Sequence, residues 1–255
     1  MEVSATNNHK MKRLFLTVFV TICLATAWAQ QYTLEDLTSG EFNPRSISEM
    51  ISSEDGVHYY QADPGKTAVI KYAYATGEAV DTLFSTRAAR GATFPTFEGF
   101  LVSPDENRVL VFRDREHVYR RSLRADYYYH DVRRNLVRKL SEQPGKQMIP
   151  TFSPDSKMVA YVINNNIWLT KFDFDTESQV TKDGERDKII NGATDWVYEE
   201  EFGVTRLMEF SPDNQLLAFV RTDESEVKEF SFQTFNEQLY PGYYRFKYPK
   251  AGEAN

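Results

Sequence analysis

Three consecutive carboxylates, Glu199-Glu200-Glu201, sit between Asp195-Trp196-Val197-Tyr198 and Phe202. Like charges crowded together are costly unless a cation relieves them, and apolar side chains on both flanks hold these in one place. Three chemistries fit. One is a solvated acidic turn. A second is a calcium site, although the segment lacks the alternating oxygen ligands and the glycine of a calcium loop. The third is a site for a ligand's ammonium group. At an effective dielectric near 20, one such pair at about 4 Å is worth roughly 4 kcal/mol before desolvation, enough to orient a small peptide. The residues alone leave the three open.

The cluster has few rivals in the rest of the chain. The only cysteine, Cys23, falls in an apolar leader, so the body offers no thiol for disulfide, metal or nucleophile chemistry. No G-x-S-x-G occurs, so the sequence lacks a hydrolytic serine on a strained turn. His58, His117 and His130 fall in or beside predicted strands, match no triad position, and read as strand-surface residues. With 30 basic and 37 acidic residues the net charge is -7, which gives no field to draw a phosphate backbone. Nucleic acid is therefore not an expected partner, and no metal or cofactor is expected either.

In the leader, Lys12-Arg13 precedes an apolar run over residues 14–27, which ends in Ala27-Trp28-Ala29. A basic start, a short apolar stretch and an A-x-A site form the pattern of a secretory signal peptide, here residues 1–30 with Met11 opening the basic region. The run is shorter than the roughly 18 to 20 residues that span a bilayer as a helix. Ile22 before Cys23 disfavours a lipid-attachment site. Export is expected, to a periplasm, the medium or the cell surface.

What must position the carboxylates is a repeat. Ser103-Pro104-Asp105, Ser153-Pro154-Asp155 and Ser211-Pro212-Asp213 recur, with a degenerate Ser53-Glu54-Asp55-Gly56 upstream, at intervals of 50, 50 and 58 residues. Proline sets φ at the first corner position and aspartate bonds back to the local backbone, so each triplet is a tight turn and its serine a corner residue, not a nucleophile. Each corner leads into a short run such as Met158-Val159-Ala160-Tyr161-Val162, too short and too rich in β-branched and aromatic residues to read as a helix. A second hairpin follows over residues 67–84, 125–140 and 166–181, turning at Thr76-Gly77, Arg133-Arg134-Asn135 and Asp175-Thr176-Glu177.

Four short antiparallel strands per period of about 50 residues predict an all-β chain built of β-propeller blades. Roughly four such units fit residues 31–255; a closed four-bladed ring is one outcome, but the last repeat ends without its second hairpin, so part of a larger, incomplete ring is expected. Residues 238–255 read as an extended excursion, not a closing strand. The third interval is eight residues longer than the others, and that excess holds the acidic cluster.

The segment Asp195-Trp196-Val197-Tyr198-Glu199-Glu200-Glu201-Phe202 resembles the double-glutamate motif of the dipeptidyl peptidase IV family. Residues 188–193, Tyr248-Pro249-Lys250-Ala251-Gly252 and the order and spacing over residues 31–255 resemble that family's N-terminal propeller. The resemblance implies an eight-bladed ring with the motif on a short inserted helix. It implies that Glu200 and Glu201 bind the free α-ammonium of a peptide, with Trp196, Tyr198 and Glu199 in support. It also implies an arginine from an earlier blade on the carbonyl oxygen of the residue second from the scissile bond. That role falls on Arg120, with the adjacent Arg121 as the alternative.

Gripping the terminus sets a two-residue ruler, so dipeptides with Pro or Ala second would be released. The Ser, Asp and His of hydrolysis belong in that family to a C-terminal α/β-hydrolase domain absent from residues 1–255, and the chain alone is expected to be inactive. The resemblance further implies homodimers, with an arm near residues 230–255 at the contact. A second reading is a non-catalytic propeller that binds peptides or proteins in the cell envelope.

Overall fold

The computed structural model describes residues 32–44 and 49–255, so the leader with Cys23 lies outside the described residues. Among the described residues ahead of residue 48 there is one short helix, α1 (Leu34–Thr38). A capping box starts it: Thr33 Oγ1 accepts the Asp36 N–H at 3.1 Å and Asp36 Oδ2 accepts the Thr33 N–H at 2.9 Å.

The chain beyond is a succession of antiparallel blades. The first is β1 (Ile51–Ser52), β2 (His58–Ala62), β3 (Ala68–Ala73) and β4 (Ala79–Ser85), paired in that order. The second is β5 (Gly99–Val102), β6 (Arg108–His117), β7 (Leu123–Asp131) and β8 (Leu136–Lys139), and the third is β9 (Gln147–Phe152), β10 (Met158–Ile163), β11 (Asn166–Lys171) and β12 (Thr176–Gln179). Blades two and three touch edge to edge where Arg124 and Ala125 pair with Met148 and Gln147. A fourth begins with β13 (Ile189–Asn191), β14 (Met208–Phe210), β15 (Leu217–Phe219) and β16 (Arg221–Asp223). The turns predicted at Thr76-Gly77 and Arg133-Arg134-Asn135 fall between paired strands, whereas Thr176 and Glu177 of the third already pair within β12, so that turn comes earlier, over residues 172–175.

Period-two alternation explains why the inner strands are apolar without interruption. In β6, Val109 and Val111 pack towards blade one with Val69, Phe84 and Phe97, while Leu110 between them packs towards blade three with Tyr127 and Tyr161. In β10, Val159 and Tyr161 belong to that second core, and Ala160 and Val162 pack with Ile167, Met208 and Phe210 of the next. Blades two and three each bury both faces against their neighbours, which is the packing of a β-propeller.

The Ser-Pro-Asp serines are corner residues. Ser103 Oγ donates to Asp105 Oδ1 at 2.8 Å and accepts the Arg108 N–H at 2.9 Å, and Ser153 repeats both bonds with Asp155 and Met158. The corners also bond to one another. The Asp105 N–H donates to Ser156 Oγ at 3.1 Å, and the Asp155 N–H donates to Asn214 Oδ1 at 3.0 Å. Ser156 and Asn214 each stand in the fourth corner position with left-handed φ of 61°, which turns the side chain back towards the preceding blade.

Two expectations need correction. His130 is not a strand-surface residue: it is 3% exposed, packs 5.2 Å from the Phe84 ring and faces Asn135 Oδ1 at 3.1 Å. Blade one covers that face of β7, and burial lowers the imidazole's proton affinity. Residues 238–255 are not all irregular, because β18 (Gly242–Lys247) pairs with β17 (Glu229–Thr234) in a hairpin of alternating aromatic residues.

Candidate functional site

The acidic cluster lies on α2 (Trp196–Phe202), a helix set into a strand. Asn191 of β13 faces Arg221 and Met208 of β14 faces Phe219, so the sixteen residues 192–207 correspond to one, Val220, on the partner side. Fifteen residues are therefore looped out, more than the eight-residue excess in the repeat interval. The difference has a structural source. Blade two's inner hairpin runs from Arg108 to Asp131, whereas its counterpart in blade three runs only from Met158 to Lys171. The interval of 50 thus already contained an extension beyond the blade.

Local chemistry fixes both ends of α2. Asp195, 4% exposed, is the N-cap and accepts the Tyr198 N–H at 2.9 Å. Gly203 ends the helix in the left-handed region, φ 68°, where its N–H reaches Glu199 O at 3.1 Å. Trp196 packs against the arm, its ring tilted and 4.4 Å from that of Tyr248, and Tyr198 meets Phe202 one turn on at 5.4 Å.

Successive residues of a helix point about 100° apart, so the three glutamates have three environments. Glu199 is fully buried, with one oxygen, Oε1, accepting the backbone N–H of Arg121 and, at 2.9 Å, that of Ser122. Its other oxygen, Oε2, is buried without a partner. Glu200 is half-buried with a side chain 14% exposed, and its Oε2 lies 3.3 Å from Arg120 Nε. Glu201 is exposed.

The two arginines diverge. Arg120 turns to Glu200 with a side chain 73% exposed, so the pair contributes little to stability and its remaining donors stay open to solvent. Arg121 turns the other way: its Nη1 lies 3.6 Å from the point a β-carbon on Gly203 would occupy, a favourable place for a cation at a helix C-terminus. The site is therefore assembled where two departures from the repeat meet, the long β6–β7 hairpin and the helix inserted between β13 and β14. Of the sequence candidates, Arg120 and Glu200 are in direct contact; Glu199 holds the backbone of the hairpin tip beside Arg120, Trp196 meets Tyr248, and Glu201 is on the same helix facing solvent. Tyr198 contacts Phe202 and not the carboxylates.

One titratable group beside the site was not legible in the sequence. Glu224, just after β16, is 5% exposed, and burial followed by the negative charges of Asp187 and Asp195 pushes its carboxyl up to about 7, with Lys247 opposing. The half-buried Tyr119 at the hairpin tip is also raised, by desolvation and then by Glu224. Only the meeting of hairpin, cap and arm creates this environment, so no local sequence signal announces it. Among the described residues no group of three or more His, Cys, Asp or Glu is placed to hold a metal ion.

The chain matches proteins of known family. Residues 103–255, more than half of it, match the dipeptidyl peptidase IV (DPP IV) N-terminal region. It is 38% identical over 60% of its length to a probable dipeptidyl-aminopeptidase B of Talaromyces marneffei, of which it covers 18%. It is 29% identical over 88% of its length to the prolyl endopeptidase FAP of Homo sapiens, of which it covers 29%. The crystal structure of Porphyromonas gingivalis dipeptidyl peptidase 4 superposes with a TM-score of 0.85 at 53% identity, over 89% of this chain and 32% of that one. The chain thus spans less than a third of the length of these relatives. Its fold, its matched region and these likenesses agree: the chain belongs to the dipeptidyl peptidase IV family, in that family's N-terminal propeller region.

Proposed function

We propose that this chain is the substrate-recognition propeller of a dipeptidyl peptidase that removes N-terminal Xaa-Pro or Xaa-Ala dipeptides. Glu200 and Glu201 bind the α-ammonium of the peptide, and Arg120 binds the carbonyl oxygen of the residue second from the scissile bond. The observation that carries this reading is the Arg120–Glu200 pair, 3.3 Å apart on two elements that both leave the blade pattern to meet. A cation donor with free N–H groups beside a carboxylate pair suits a peptide terminus, which offers an ammonium and a carbonyl within a few ångströms. A solvated acidic turn has no need of a fully buried Glu199 or of an arginine brought from another blade.

Bond breaking is assigned to a Ser, Asp and His from a C-terminal α/β-hydrolase domain of the complete protein. The distance from the carboxylates to that nucleophile sets the two-residue ruler. The leader over residues 1–30 would export the protein to a periplasm, the medium or the cell surface. The arm is the proposed homodimer contact, favoured by Phe232, Phe235, Tyr243 and Tyr244, all exposed.

The test is kinetic. In the complete enzyme, Glu200→Ala or Glu201→Ala should lower kcat/KM for Xaa-Pro substrates with a free amine by at least a hundredfold. Unchanged values in both variants would exclude the assignment.

A further inference from the structure

Glu199 has an environment that a merely space-filling residue would not need. It is fully buried, its Oε1 takes two backbone N–H groups, and its Oε2 has no partner. Burying a carboxylate without a countercharge is costly, and an apolar side chain of the same volume would pack there more favourably. What the carboxylate supplies is an acceptor for the hairpin tip. The β6–β7 ladder stops at His117 and Leu123. Beyond it, Val118 N donates to Ser122 O at 3.0 Å and Tyr119 N to Ser122 Oγ at 3.3 Å. The N–H groups of Arg121 and Ser122 point out of the hairpin and find Glu199. Buried N–H groups without a partner are rare because they are costly, so the tip and the helix each complete the other.

This anchor separates the two arginines. With the Arg121 backbone held at Glu199, its side chain runs to the C-terminal end of α2 at Gly203, while that of Arg120 runs to Glu200. A shift of the tip by one residue would exchange them.

We propose that Glu199 is the positioning residue of the site: through the backbone of Arg121 and Ser122 it sets the register of the β6–β7 tip against α2, and so makes Arg120 the cation that meets Glu200. The proposal rests on the reading that Glu200 and Glu201 bind a peptide ammonium. Its structural half is independent of that reading.

The experiment compares Glu199→Gln and Glu199→Met with the unsubstituted full chain. Glutamine keeps an acceptor for both N–H groups, and methionine keeps the volume while removing it. Amide hydrogen exchange over residues 117–123 is measured together with the affinity for Ala-Pro amide and for its N-acetylated form. The methionine variant should fold with a somewhat lower Tm, because two N–H groups lose their acceptor, exchange the tip amides at least tenfold faster, and bind the free-amine peptide at least tenfold more weakly. The glutamine variant should stay within about threefold on both measures. Unchanged tip exchange in the methionine variant, or a glutamine variant as weak as methionine with its tip still protected, would overturn the proposal. Equal binding of the two peptides by the unsubstituted chain would instead defeat the ammonium reading, with tip exchange still deciding the anchoring role.

Discussion

Arg120 Nε stands 3.3 Å from Glu200 Oε2, although eighty residues of chain separate them and they belong to different blades. The neighbouring Arg121 is carried away to the far end of α2. The two arginines therefore make different contributions, and substitution separates them. Arg120→Ala should weaken binding of a free-amine dipeptide amide at least tenfold, because the proposed carbonyl contact at the ligand is lost. Arg121→Ala should change that affinity by less than threefold and lower Tm slightly, since its cation sits at a helix end. Isothermal titration of both variants checks the assignment, and equal losses would contradict it.

Glu224 gives the site a pH dependence with a definite sign. Its folded carboxyl titrates near 7 against an ordinary 4.5, so the folded state binds the extra proton between those values. Stability is then greatest at the acidic end of that window and falls as pH rises towards 7, by on the order of 3 kcal/mol. Asp187 and Asp195 drive the effect after burial, and Lys247 limits it. Thermal melts from pH 5 to 8 should show this decline, and Glu224→Gln should flatten it and raise Tm at pH 8. A Glu224→Gln variant with the wild-type slope would show that another group titrates.

The corner-to-corner bonds make a prediction about blade docking. Ser156→Ala removes the acceptor for the Asp105 N–H and keeps an L-residue at φ 61°; it should cost about 1–2 kcal/mol. Ser156→Gly removes the same acceptor but relieves roughly 1 kcal/mol of left-handed strain, so its net cost should be near zero. In both, exchange of the Asp105 amide should accelerate while the core of β10 stays protected. Protection of Asp105 in both variants would show that the bond does not join the blades.

Much of this architecture was legible because turn chemistry is local. Ser-Pro-Asp corners, the turns at Thr76-Gly77 and Arg133-Arg134-Asn135 and runs such as Met158-Val159-Ala160-Tyr161-Val162 carry their conformation in adjacent residues, and these lie where the pattern put them. The acidic motif was visible for the same reason, being a continuous segment on one helix. Spacing misled where compensating lengths hid behind an equal period. The interval from Ser53 to Ser103 contains the long connection between β4 and β5, and the interval from Ser103 to Ser153 contains the extended β6–β7 hairpin. Equal sums concealed the extension that brings Arg120 to Glu200. Burial of His130 and the raised carboxyl of Glu224 depend on which neighbouring element covers them, and adjacent residues do not encode that. In the arm, Tyr240-Pro241-Gly242 looked like the start of an excursion, whereas Gly242 opens strand β18.

Recognition of a peptide's free N-terminus by Glu200 and Glu201 is tested most directly by titrating the complete enzyme, its catalytic serine replaced by alanine, with Ala-Pro amide and with N-acetyl-Ala-Pro amide. The expected result is a preference of at least tenfold for the free amine, which disappears in Glu200→Ala and in Glu201→Ala. Equal affinity for the two peptides, or a preference that survives both substitutions, would contradict it.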